Sequence, residues 1–134
     1  MKSITGFFLV SISVIILCSC SAKKDGDWDD IIKLSTKAVG FSASADSVII
    51  TTKGGWWWIT DVSVNEKNYY GFANIDLESD TYSIKQDCFV VERRNKNTLF
   101  IKVLENPLSI QRRITVGLEA GDYFDRVTIT QAAK

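Results

Sequence analysis

From Ile31 onward the apolar positions recur every second residue more often than every third or fourth, in short runs rich in Val, Ile, Thr and aromatic residues. Helical spacing is hard to find. The alternation predicts strands at 31–34, 39–42, 47–52, 56–64, 69–74, 81–84, 89–93, 98–104, 112–118 and 126–131. Turn formers separate them, among them Gly54-Gly55, Asn65 to Asn68, Asn95 to Asn97, Asn106-Pro107 and Ala120 to Asp122. The last two strands form the clearest hairpin: Ile114, Val116 and Leu118 share one side, and beyond Gly121 so do Val127 and Ile129. Short antiparallel strands at this density predict an all-β domain, an antiparallel β-sandwich over residues 31–134. Cys88, in Asp-Cys-Phe-Val-Val, reads as a small strand residue.

Ahead of this domain the pattern changes. Lys2 and the apolar run Phe7 to Leu17 are too short for a spanning helix, which takes about 20 residues, and fit a signal peptide over 1–19. Leu17-Cys18-Ser19-Cys20 resembles the bacterial lipoprotein box. That resemblance implies lipidation of Cys20 and a membrane partner reached through the lipid anchor, several acyl chains holding where one would not. Residues 20–30 then read as the lipidated cysteine and a flexible acidic tether. An EF-hand starting at Asp25 fails, because its sixth and twelfth positions hold Asp30 and Thr36 rather than Gly and Glu. Acidic residues close behind Cys20 also resemble the surface-export signal of Bacteroidetes lipoproteins, with Lys23 and Lys24 as departures. The expected location is the bacterial outer membrane.

Composition narrows the function classes. Sixteen basic and sixteen acidic residues cancel, which argues against a nucleic-acid partner, since phosphates demand an excess of cations. With no histidine the commonest general base and metal ligand is missing. No nucleophile elbow, phosphate loop or zinc spacing occurs, and the acidic residues sit beside turns or on polar strand positions. A non-catalytic protein with no cofactor and no metal is expected.

In the C-terminal third, Val103, Asn106, Arg112-Arg113, Ile114 and Val116 precede Val127-Thr128-Ile129-Thr130-Gln131. Upstream, Phe41 is followed by Ser47 to Thr52 and then Gly55-Trp56. Together these resemble the BACON domain, an immunoglobulin-like module of secreted Bacteroidetes proteins, over about Lys33 to Ala132. Cys88-Phe89 stands where a second tryptophan is expected, and the connection 65–87 is longer and more aromatic than usual. The resemblance implies an immunoglobulin-like sandwich that binds carbohydrate or mucin glycans. Fold analogy alone does not carry function, so a scaffold or accessory subunit of a cell-envelope complex, with a protein as partner, stays open beside it.

Three tryptophans in a row cannot all face one core. Extended, the segment puts Trp56, Trp58, Val62 and Val64 on one side and Trp57, Ile59, Asp61 and Ser63 on the other. Asp61 and Ser63 belong in water, so the first set is expected inside and Trp57 outside. Trp57 with Tyr69, Tyr70 and Phe72 is then a candidate aromatic patch for ligand binding, because flat rings stack on the apolar faces of sugars and anchor protein interfaces. The competing reading has Trp28 or the 65–87 connection covering that surface.

Overall fold

The computed structural model describes residues 28–134. The leader, Cys20 and most of the tether lie outside them. Nine strands follow in chain order: β1 (Ala38–Phe41), β2 (Asp46–Thr51), β3 (Trp58–Val64), β4 (Lys67–Tyr70), β5 (Tyr82–Gln86), β6 (Phe89–Arg94), β7 (Thr98–Val103), β8 (Arg112–Ala120) and β9 (Tyr123–Gln131). They form a five-stranded sheet, β1-β9-β8-β3-β4, and a four-stranded sheet, β2-β7-β6-β5. The chain crosses between the sheets after β1, β2, β4 and β7, the crossing pattern of an immunoglobulin-like sandwich. One strand pair departs from the expected antiparallel arrangement: β1 runs parallel to β9, because the crossing to β2 follows it directly and no hairpin joins it to its neighbour.

The core is built by the alternation itself. Ile114, Val116, Leu118, Val127 and Ile129 from one sheet meet Ile50, Phe89, Val91, Leu99, Ile101 and Val103 from the other, all fully buried. Positions 31–34 make no strand; Leu34 forms an isolated bridge to Thr52, and the Ile32 carbonyl accepts from the amides of Lys53 and Gly54. Ile32 enters the core from this loop rather than from a strand. The expected strand 69–74 ends at Tyr70, where Gly71 turns the chain with φ +63°. Cys88 lies in the turn between β5 and β6 rather than in a strand. Burial pushes its thiol pKa up, which keeps it protonated at neutral pH.

Two side-chain clusters tie the ends down. Gln131 donates to the carbonyls of Ala43, Ser44 and Leu104, Asn106 to those of Ile110 and Ala132, and Arg112 to Gln131 and Leu104. All three are buried with their polar atoms satisfied. At the other end Lys37 bridges Asp125 at 2.7 Å and Asp30 at 3.3 Å, and Tyr123 donates to Asp125. Asp30 also accepts from the Lys33 amide, so the domain holds the chain from Asp30 onward.

Candidate functional site

Trp57 is the fully buried indole, at 1% exposure, whereas Trp56 is 69% exposed and Trp58 half-buried. The expected inside and outside sets are therefore exchanged at the tryptophans and correct at Val62, Asp61 and Ser63. A β-bulge explains both. Ile59 pairs with Leu118 and Asp61 with Gly117, leaving Thr60 as an extra residue that reverses the alternation upstream of it. Trp57 and Ile59 thus point inward together with Val62. The Trp57 indole donates to the Thr52 hydroxyl at 3.0 Å, and the buried Arg93 guanidinium stacks 4.7 Å from its ring centroid.

The expected patch also divides at β4. Tyr69 pairs with the buried Val62 and packs edge-on against Phe89, with ring centroids 5.4 Å apart. Phe72 is half-buried against the core. Tyr70, one residue from Tyr69 and so on the opposite face, is 76% exposed. These three line a cleft of about 450 Å³ between β4 and β5. Trp28 is 59% exposed, and the 72–77 loop puts Phe72, Ile75 and Leu77 against the core.

The strand register assembles a different surface, on the outer face of the five-stranded sheet. Trp58 stands opposite Glu119, and Glu119 opposite Phe124, which is 64% exposed. Trp56 joins this row with its ring perpendicular to Trp58, at 78° and 5.7 Å between centroids. It also covers Gly121 at the β8–β9 turn, where a side chain would press on the indole. The adjacent row runs Tyr70, Asp61, Gly117, Arg126. Gly117 supplies no side chain, and the Asp61 carboxylate and Thr60 hydroxyl occupy the space a Cβ would take; beside them a polar groove of about 330 Å³ runs from Asp61 and Arg126 to Ser63, Thr115 and Arg113. On the other side of the tryptophans a cleft of about 300 Å³ carries Glu78, Asp80 and Lys96.

Sequence reasoning found Tyr70 and missed Trp56, Trp58, Phe124 and the groove. The bulge concealed the tryptophans, and Phe124 sits in a strand that begins earlier than the acidic residues around it suggest. Chemically the face offers exposed rings beside hydroxyl, amide, carboxylate and guanidinium groups. Among the described residues no group of acidic, Cys and His side chains is arranged to hold a metal.

No protein-family model matches the chain, and no curated protein matches it in sequence. Solved structures do. The NMR structure of a protein from Bacteroides thetaiotaomicron aligns with 86% of this chain and 98% of its own, with TM-score 0.66 and 20% identity. A Bacteroides ovatus GH5 xyloglucanase in complex with a XXXG heptasaccharide aligns over 77% of this chain and 19% of its own, with TM-score 0.48 and 18% identity. The chain shares its β-sandwich fold with a Bacteroides protein.

Proposed function

We propose that this protein is a non-catalytic, BACON-like recognition module that binds carbohydrate on the outer face of its five-stranded sheet. The observation that carries the reading is the exposure of Trp56 beside Trp58 and Phe124, with Glu119 between the latter two in one row. That row spans two strand spacings, about 10 Å, roughly the length of a disaccharide. Rings of this kind cover the apolar faces of sugars while neighbouring carboxylates accept from their hydroxyls. Lipidation at Cys20 would hold the module at the outer membrane, with the lipid bilayer and a glycan as its partners. A glycan array probed with the full chain in detergent tests this. Binding that Trp56→Ala and Trp58→Ala weaken supports the reading; an array without signal, or signal indifferent to both substitutions, refutes it. Capture of an envelope protein through the same face, with no glycan bound, would favour the scaffold reading instead.

A further inference from the structure

Asp61 is half-buried, lines the polar groove and lies over Gly117, where a Cβ would collide with its carboxylate. Among the described residues it makes no ion pair; the Thr60 hydroxyl donates to its Oδ1 at 2.9 Å. A carboxylate has about four acceptor positions, so it keeps some that no described residue fills. Across the same row stands Arg126, whose guanidinium pairs with no carboxylate among the described residues. Tyr70, exposed and paired with Asp61 in register, stands on the neighbouring strand and lines the separate cleft between β4 and β5. The row therefore presents a planar double acceptor resting on a glycine and, one strand further, a planar multiple donor.

We infer that this row is the specificity-determining subsite, reading a pair of neighbouring hydroxyls on one pyranose. Both hydroxyls donate to the Asp61 carboxylate, and Arg126 donates to the sugar's oxygens. The inference rests on the carbohydrate reading above and adds a chemical class to it, a sugar with a free vicinal diol. Gly117 is what lets the carboxylate sit there: any side chain would collide with Asp61 Oδ1 and displace it.

The test is an NMR titration of the 15N-labelled full chain in detergent with methyl β-glucoside, methyl β-galactoside and methyl α-mannoside, which differ in the orientation of adjacent hydroxyls. At least one should shift the amides of Asp61, Gly117 and Arg126. Asp61→Asn should weaken that binding about tenfold, as expected for loss of one charged hydrogen bond, with the remaining spectrum unchanged. Gly117→Ala, which keeps the carboxylate but moves it, should do the same and serves if Asp61→Asn does not fold. Shifts confined to Trp56, Trp58 and Phe124 would overturn the subsite and leave the carbohydrate reading standing. Array binding with no response to any of the three glycosides would also overturn the subsite, and an array without signal would overturn both.

Discussion

The two outer faces of the sandwich are made from similar residues and behave differently. On the four-stranded sheet Ile49, Phe100, Glu92 and Ser83 form one row. Arg94 stacks 3.7 Å from the Phe100 centroid and pairs with Glu92, which also accepts from the Ser83 hydroxyl. Aromatic, cation and anion are there matched to one another. On the five-stranded sheet Trp56, Tyr70 and Phe124 are open, and neither Asp61 nor Arg126 has an ionic partner among the described residues. Apart from the exposed Ile49, that row keeps its aromatic, cation and anion for one another; the open face retains both stacking area and hydrogen-bonding capacity. The contrast, more than the number of aromatics, is what favours the open face for the proposed binding.

The sharpest way to break the contrast is to delete Thr60. Without the bulge, the residues upstream change faces, Trp57 goes outward, and the open face loses Trp56 and Trp58. Exposing a buried indole costs about 4 to 6 kcal/mol by area, so urea unfolding should show a loss of that order or no folded protein at all. Trp57→Ala leaves the bulge intact and should cost about 3 to 5 kcal/mol, whereas Trp56→Ala should stay within about 0.5 kcal/mol while weakening glycan binding. Stability equal in the two variants would contradict the assignment of inner and outer indoles. Arg94→Ala on the self-matched face is the complementary control: a loss under about 1 kcal/mol and an unchanged glycan signal.

Smaller effects concern the charged cluster beside β9. Burial alone would raise the Asp30 carboxyl pKa, yet the Lys33 amide and the Lys37 ammonium hold it below its ordinary value. A depressed folded-state carboxyl stabilises the protein above the ordinary carboxylate range and loses that contribution as pH falls through the folded value. The urea midpoint should therefore decline on acidification below about pH 4, and Lys37→Met should flatten that decline. Burial, reinforced by Asp125, pushes the Tyr123 phenol up to about 12. Ultraviolet titration should show a tyrosinate step near that pH that disappears in Tyr123→Phe.

Legibility followed local regularity. The β8–β9 pairing was readable because its alternation continues without interruption through Ile114, Val116 and Leu118 on one strand and Val127 and Ile129 on the other. The tryptophan segment was not, since one inserted residue reverses sidedness without altering any residue type, and only the partner strand's register reveals it. Ile32 reads like a strand residue because a core position filled from a loop and one filled from a strand select the same side chain. The resemblance resting on Asn106, Arg112 and Gln131 corresponds to the buried polar cluster that fastens the last strand to the connections around it. Such residues mark a fold, which is why they say little about a ligand.

The Lys37 bridge to Asp125 has a geometric consequence. Since β1 runs alongside the second half of β9, the residues preceding it pass beside the beginning of that strand. The polypeptide thus comes in at the end of the sandwich that carries Phe124 and Trp56. Were its N-terminus fastened to a surface, that end would look down toward the attachment point. The unobstructed route to the groove would then be sideways, past Tyr70, and the span of chain preceding Trp28 would set how bulky a polymer can slip beneath.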